Sequence, residues 1–168
     1  EEVENNDTIT EANALGLSSN NLSISLSGTI YGAGDGSVDP SEDVDLYSFN
    51  LEAGQTISFD VDTEEILTET LSSRPLVFPA LAETLQKPDT ELRLFDAEGN
   101  EVATNNDGAA PDEEFSRDPF IQYTAETAGT YYIGVSGLGN RNYDPFVFRS
   151  PSGSSWTFPE VGVFFGPY

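Results

Sequence analysis

The chain has 168 residues, and its 30 acidic and 6 basic residues give a net charge of −24 at pH 7. This charge repels nucleic acids and anionic membrane surfaces and favours cations as partners. The sequence has no cysteine, histidine or methionine, which excludes cysteine and Ser-His-Asp nucleophiles, thiolate and imidazole zinc sites, and disulfides.

The length fits a single domain over residues 1–168, and the 37% of hydrophobic residues is enough for a core. Because the chain begins with Glu1 and has no apolar run that could span a bilayer, we interpret it as a mature exported chain or an excised domain. Residues 1–14 are polar and acidic without periodicity, so the default expectation is a mobile N-terminal segment.

The stretch at residues 41–49 follows a predicted strand at 22–31 and a glycine-rich loop. It places Glu42, Asp43 and Asp45 directly before alternating apolar positions, which predict a half-buried strand. Clustered carboxylates repel one another unless a cation neutralises them, and Ca²⁺ prefers such oxygen ligands. A solvated acidic turn is the alternative interpretation.

The rest of the chain shows short strand patterns separated by predicted turns. Residues 52–55 predict a turn that makes 56–62 the hairpin partner of the acidic strand, and 97–100 predict a second hairpin between 90–96 and 101–104. Between them, leucines at helical spacing and two prolines predict a partly helical insertion at 63–88. Further strands are predicted at 120–123 and 130–136. The pattern indicates an all-β fold, an antiparallel β-sandwich or jelly roll.

Two further features are candidates for function. The acidic loop at 105–118 offers a second cation site, or an ordinary solvated loop, with Asn106, Asp107 and Asp118 and with Asp60, Asp62, Asp89 or Asp144 from neighbouring loops. Aromatic residues, among them Tyr131, Tyr132 and Trp156, could form a binding platform, although such residues on strands are more often core. The apolar run 161–168 carries no charge, so we expect its own sheet or a neighbouring subunit to cover it.

An ordered set of short motifs spans most of the chain and resembles the bacterial pre-peptidase C-terminal domain family, especially cyanobacterial-type secreted relatives, and more distantly the collagen-binding domains of clostridial collagenases. The motifs are Glu2-x-Glu4-x-Asn6-Asp7, Glu11-Ala12-Asn13, Gly28-Thr29-Ile30, Asp43-x-Asp45-x-Tyr47-x-Phe49, Ala53-Gly54-Gln55, Leu92-x-Leu94-Phe95-Asp96-x-x-Gly99 and Ala128-Gly129-Thr130-Tyr131-Tyr132-Ile133-x-Val135. The insertion at 63–88 and the loop at 140–145 depart from the collagenase domains, so collagen binding is not implied.

The resemblance implies a bacterial β-sandwich that is secreted or held at the cell surface, with calcium between an N-terminal acidic segment and the acidic strand entry. The ligands implied by position are Glu2, Glu4, Asn6 and Asp7 from the terminus and Glu42, Asp43 and Asp45 from the strand. Because all these ligands are oxygen donors, the implied cofactor is Ca²⁺.

We therefore expect a non-catalytic, calcium-stabilised extracellular module for binding, anchoring or surface structure. Its expected partners are calcium and an extracellular polymer or its own subunits, without nucleic acid or membrane insertion. One alternative is a self-assembling filament subunit, suggested by the run at 161–168. The other is a glycoside hydrolase that works with two carboxylates.

Overall fold

Nine β-strands and one turn of 3-10 helix form the regular structure in the computed structural model, which describes residues 6–17, 24–28, 44–63, 89–111, 113, 117–147 and 161–165. The strands are β1 (Asn13–Ala14), β2 (Ile24–Gly28), β3 (Val44–Leu51), β4 (Thr56–Thr63), β5 (Thr90–Phe95), β6 (Glu101–Asn105), β7 (Phe120–Thr124), β8 (Gly129–Gly137) and β9 (Val161–Phe165). The helical turn is Leu138–Asn140. Of the predicted insertion at 63–88, Thr63 is the last residue of β4, and the remainder lies outside the described residues.

The strands form two sheets. The first sheet has the order β1-β3-β8-β5-β6 and the second has the order β2-β9-β4-β7. Every pair is antiparallel except β1 with β3, which is parallel. Phe49 and Ile133 of the first sheet share one hydrophobic core with Phe59 and Ile121 of the second. The prediction of an all-β sandwich is therefore confirmed.

The first half of the acidic strand β3 is buried on both faces, so the expectation of a half-buried strand was wrong there, whereas in the second half Ser48 is half-buried and Asn50 is exposed. One face contributes Tyr47, Phe49 and Leu51 to the core between the sheets. The other face places Val44 and Leu46 in a second, smaller core with residues from outside the sandwich. The physical reason is that the chain segment after β8 folds back over the outer face of the first sheet and covers it.

The predicted hairpin between β3 and β4 was also wrong. β3 pairs with β8, whereas β4 pairs with β7 and β9 in the other sheet. The turn at residues 52–55 exists, with Gly54 at φ 81°, but it carries the chain from one sheet to the other. The rings of Phe49 and Phe59 pack 5.2 Å apart across the core. Burial of both inner faces is what favours this corner over a hairpin.

The second predicted hairpin, β5 with β6, is confirmed. Its turn places Gly99 at φ 78°, a conformation that favours glycine. The Asp96 side chain accepts hydrogen bonds from the backbone N–H groups of Glu98 and Asn100 at 3.0 and 2.8 Å. A register shift between Leu94 and Phe95 interrupts the ladder near this turn.

The adjacent tyrosines of β8 face opposite sides of the first sheet. Tyr131 is 3% exposed in the main core, and its hydroxyl donates to the Thr127 carbonyl oxygen at 2.8 Å. Tyr132 is partly buried against the smaller core. This pair is therefore structural, while Trp156 lies outside the described residues.

Strand β9, from the uncharged run at 161–168, lies between β2 and β4 and pairs with both over five residues each. The sheet of the same chain thus covers this segment, as one of the two sequence-based alternatives expected. The described residues include no helix long and apolar enough to cross a membrane.

Candidate metal centre

Carboxylates collect at one end of the sandwich. β3 and β5 both pair antiparallel with β8, so they begin at the same end, where β6 finishes. Asp60 of β4 pairs with Phe120, the first residue of β7, so the second half of β4 lies beside the start of β7. The N–H of Gly108, after β6, donates a hydrogen bond to the carbonyl oxygen of Asp118, before β7. The end of β6 and the start of β7 are therefore close together. The acidic residues at this end are Asp7, Asp45, Asp60, Asp62, Asp89, Asp107 and Asp118.

The N-terminal segment lies against the start of β3. The backbone N–H of Leu46 donates to the Asn6 carbonyl oxygen at 3.0 Å, and the N–H of Val44 donates to Asp7 Oδ1 at 3.3 Å. These two contacts flank Asp45, which is 2% exposed, and Asn6 is 1% exposed. The structure thus brings together Asn6, Asp7 and Asp45. Glu2, Glu4, Glu42 and Asp43 lie outside the described residues.

The donor chemistry of this group fits calcium. Asn6, Asp7 and Asp45 offer amide and carboxylate oxygens, the ligands that hard divalent cations prefer. The Asn6 Nδ2 atom is buried, and the structure shows no hydrogen-bond partner for it within the described ranges. Because a buried N–H group normally finds an acceptor, this amide has an open donor, while only its oxygen, Oδ1, can bind a cation.

Packing and hydrogen bonds also attach the segment that carries these residues. Leu15 donates its N–H to the Ser48 carbonyl oxygen at 2.8 Å and packs into the main core. Ile9 donates its N–H to the Pro145 carbonyl oxygen at 2.9 Å, and Thr8 Oγ1 donates to Glu11 Oε2 at 2.9 Å. Residues 8–15 are therefore fixed to the fold, in contrast to the default expectation of a mobile terminus.

The second predicted group, at the acidic loop, has one buried and one exposed member. Asp118 is 4% exposed, whereas Asp107 is exposed. Asp89 lies close enough to sense both charges, since burial and then the negative charge of Asp107 raise the pKa of Asp89 above its ordinary value, with a smaller contribution from Asp118. Arg117 and Arg141 oppose this rise in pKa without cancelling it.

A third group could hold a metal ion. Carboxylate oxygens of Asp60, Asp62 and Glu113 lie within 4.8 Å of one another, a spacing that allows all three to reach an ion at Ca²⁺–oxygen distances of about 2.3–2.6 Å. Asp60 is buried, Asp62 is half-buried and Glu113 is exposed. Burial and then the charges of Asp60 and Asp62 raise the pKa of Glu113.

The sequence carried a signal for two members of this group. The i, i+2 spacing of Asp60 and Asp62 on β4 predicts that they share a face of the strand. Glu113 was missed as a candidate, because only the tertiary fold brings it beside Asp60 and Asp62 of β4. A single strand pattern cannot provide that information.

The chain is similar to several known proteins. No curated protein sequence gives a significant match. The periplasmic inhibitor of g-type lysozyme from Aeromonas hydrophila, PliG, is similar in structure, with a TM-score of 0.50 and 13% identity over 92% of this chain and 94% of that chain. The pre-peptidase C-terminal domain of collagenase from Bacillus anthracis has a TM-score of 0.45 and 16% identity over 93% of each chain.

The surface-associated copper-binding protein CorA of Methylomicrobium album BG8 has a TM-score of 0.42 and 13% identity, covering 92% of this chain and 96% of that chain. At the level of sequence families, the model for the bacterial pre-peptidase C-terminal domain matches residues 43–137, which is more than half of the chain. The match begins at Asp43, before β3, and finishes with Gly137, the last residue of β8. The chain therefore belongs to the bacterial pre-peptidase C-terminal domain family.

Proposed function

We propose that this chain is a non-catalytic binding module that is stabilised by calcium and works outside the bacterial cell. The observation that supports it most is the meeting of Asn6 and Asp7 with the start of β3 on either side of the buried Asp45. A buried carboxylate is stabilised by hydrogen bonds and by a nearby positive charge. Calcium would supply that charge at a group made of oxygen donors.

In this proposal β3 and the N-terminal segment have different roles. Asp45 lies on a strand that pairs with β8 over eight residues, so its carboxylate is held in place before an ion arrives. Asn6 and Asp7 belong to a segment that must dock on β3 to complete the site. Calcium therefore favours the docked form and stabilises the fold by binding only to it.

The ligand set extends to residues outside the described ranges. Glu2 and Glu4 would approach from the terminus, and Glu42 and Asp43 from the chain before β3. Together with Asp7 and Asp45 they bring more negative charge than one divalent ion neutralises. Some of these carboxylates would therefore contact the ion through water or through the hydrogen bonds of its direct ligands.

Absence of catalysis is proposed from the side-chain inventory. The 168 residues contain no histidine or cysteine, so an enzyme here would depend on carboxylates alone, as glycoside hydrolases do. The carboxylates described lie in groups at strand ends, whereas a glycosidase needs two acids that flank one bond. Export from the cell is proposed from the family, which the resemblance associates with secreted proteins, and from the acidic surface.

A second candidate function is self-assembly by strand exchange, and β9, although covered in its own chain, is the strand that the sequence suggests for it. This strand is central in its sheet, with β2 on one side and β4 on the other. A strand that completes a neighbouring sheet by main-chain hydrogen bonds is a known mode of association. Exchange of β9 between copies would link subunits into a chain, which size-exclusion chromatography and electron microscopy would detect.

The calcium proposal is tested by thermal melting of metal-stripped protein in EDTA and in millimolar calcium. At a hundredfold excess of free calcium over its dissociation constant, stabilisation reaches about 2.7 kcal/mol. Asp45→Asn should lose the calcium-dependent shift that this site supplies, while Glu98→Gln, which removes an exposed charge from the β5–β6 turn, should keep it. Coincident melting curves of the wild type in the two conditions would refute the proposal.

A further inference from the structure

Three oxygen atoms near the start of β5 are buried without a hydrogen-bond partner in the described part of the chain. They are Thr90 Oγ1, Asp89 Oδ1 and Asn105 Oδ1. Thr90 is 0% exposed, so water does not reach its hydroxyl from the surface. Buried polar atoms normally have partners. Three acceptor oxygens left open in one neighbourhood indicate a missing donor or cation.

The strand register shows that these residues lie at the same end of the first sheet, where β5 begins and β6 finishes. Leu92 pairs with Asn105 in the last rung between β5 and β6. Thr90 lies two residues before Leu92, and Asp107 lies two residues after Asn105, so the next rung on the same face would oppose Thr90 to Asp107. Thr90 and Asp107 would therefore lie on the same face of the first sheet, at the end where β5 begins and β6 finishes.

Two contacts of Gly108 bring the loop after β6 against this end of the sheet. The N–H of Gly108 donates to the Asp118 carbonyl oxygen at 3.3 Å, which brings the buried Asp118 beside the loop that carries Asp107. The Asn105 side chain packs against Gly108, since a Cβ atom there would lie 3.2 Å from Asn105 Oδ1. The start of this loop therefore packs against one of the three open oxygens, Asn105 Oδ1.

The charge balance at this place is negative. Asp89, Asp107 and Asp118 contribute three carboxylates, and two arginines lie near. Arg141 is already engaged, because its Nε is 3.2 Å from Glu91 Oε2. Among the described residues, the three carboxylates therefore outnumber the two arginines at this place.

We propose that the start of β5 and the loop after β6 form a binding site for a hard divalent cation of the Ca²⁺ class. Asp89, Asp107 and Asp118 are its charged ligands, and Asn105 Oδ1 and Thr90 Oγ1 are its neutral ones. Such mixed sets of six to eight oxygens are typical of calcium. Asp45 shares a lateral row with Val135, Leu92 and Asn105, so three strand spacings, about 14 Å, separate Asp45 from Asn105, and two separate β3 from β5.

Isothermal titration of metal-stripped protein with calcium chloride tests the proposal. Asp107→Asn changes an exposed side chain, so the fold should persist, and we expect the loss of one bound equivalent or a tenfold weaker constant for one class of site. Asp89→Asn should remove the same class, and Asp45→Asn a different one. Glu98→Gln, which removes an equal charge at the opposite end of the sandwich, should titrate as the wild type.

A second measurement does not depend on variants. In the wild-type protein, calcium should shift the NMR signals of the Asn105 side-chain amide and the Thr90 backbone amide, and the same shifts should persist in Asp45→Asn. Titrations of Asp107→Asn and Asp89→Asn that match the wild type, or Asn105 and Thr90 signals that calcium leaves unmoved, would overturn this site. Either result would leave the proposal for the N-terminal segment standing.

Discussion

The guanidinium carbon of Arg93 lies 4.4 Å from the centroid of the Tyr143 ring, and Arg93 Nη1 donates a hydrogen bond of 2.8 Å to the Tyr143 carbonyl oxygen. One side chain thus holds both the ring and the backbone of the segment after β8. Tyr143 also packs on Phe95 at 5.9 Å, and its burial raises the pKa of its hydroxyl, so the phenol stays neutral. This contact explains why the outer face of the first sheet is covered.

Replacement of Arg93 by lysine should destabilise the fold although the charge is kept. A lysine cannot stack on the ring and donate to the carbonyl in the same geometry, and we expect a loss of about 1–2 kcal/mol in the free energy of unfolding. Urea denaturation measures it. The matched change Arg141→Lys affects an ion pair whose arginine is 46% exposed, and it should cost less. Equal losses at the two positions would contradict the role of Arg93.

Gly134→Ala should be strongly destabilising. A Cβ atom at this position of β8 would overlap the buried Tyr143 hydroxyl and lie 3.1 Å from Leu46 Cδ2. Overpacking of this kind costs typically about 1–3 kcal/mol. Gly129→Ala on the same strand is the control, because nothing lies within 4 Å of its Cβ position. Thermal melting of the two variants should separate them clearly, and a tolerated Gly134→Ala would mean that Tyr143 can move.

Stability should fall in acid partly through Asp96. Its burial raises its pKa, but hydrogen bonds from the Asn100 side chain and from the backbone of Asn100, Glu98 and Gly99 outweigh this effect and lower the pKa below the ordinary 3.8. A lowered pKa stabilises the fold at pH values above 3.8 and ceases to do so as the pH falls through the folded-state value.

The difference in unfolding free energy between wild type and Asp96→Asn should therefore be present at neutral pH and shrink in acid. Because the turn is close to solvent, we expect it to stay below about 1 kcal/mol. Urea denaturation across a pH series measures this difference. Glu98→Gln in the same turn is the control, and a difference for Asp96→Asn that grows in acid would reverse the sign argued here.

Removal of calcium should release only part of the N-terminal segment. The amides of Val44 and Leu46 donate to Asp7 and Asn6, so chelation or Asp45→Ala should speed their hydrogen exchange. The amide of Leu15 bonds to Ser48 away from the predicted ligands, and it should keep its protection. Unchanged exchange at Val44 and Leu46 in EDTA would mean that packing alone holds residues 6–8.

Deletion of residues 161–168 should prevent cooperative folding. β9 supplies five residue pairs to β2 and five to β4, and its loss leaves both strands without these hydrogen bonds. Circular dichroism and urea denaturation of the truncated chain measure the effect. A synthetic peptide of residues 161–168 added in trans should restore the folded signal. A truncated chain that unfolds at the same urea concentration as the full chain would show that β9 is dispensable.

Local sequence chemistry predicted strands well and sheet partners poorly. The turns at Gly54 and Gly99 have nearly the same φ, 81° and 78°, and both predicted hairpins, yet only the second is one. The difference lies in the inner faces of β3 and β4, which stack across the core, and no turn residue specifies that choice. The covered outer face of β3 was equally invisible, because Tyr143 is distant in sequence.

The same holds for the candidate sites, where the sequence indicates candidate ligands but not which distant residues lie beside them. Asp7 and Asp45 could be grouped from the sequence through the family resemblance, and the structure brings their segments together. Asp89 and Glu113 gain their neighbours from loops that fold back at the end of the sandwich. Their neighbours depend on burial and strand register, and the order of acidic residues along the chain does not give either of these.

The position of β9 between β2 and β4 also affects how the protein folds, because the second sheet cannot be completed until β9 is in place. β2 ends at Gly28 and β9 begins at Val161, and closure of so long a loop has an entropic cost before any contact offsets it. Folds dominated by such distant pairings form slowly. During that interval the edges of β2 and β4 lack their partner strand, and at high protein concentration the β9 of one copy could enter the sheet of another.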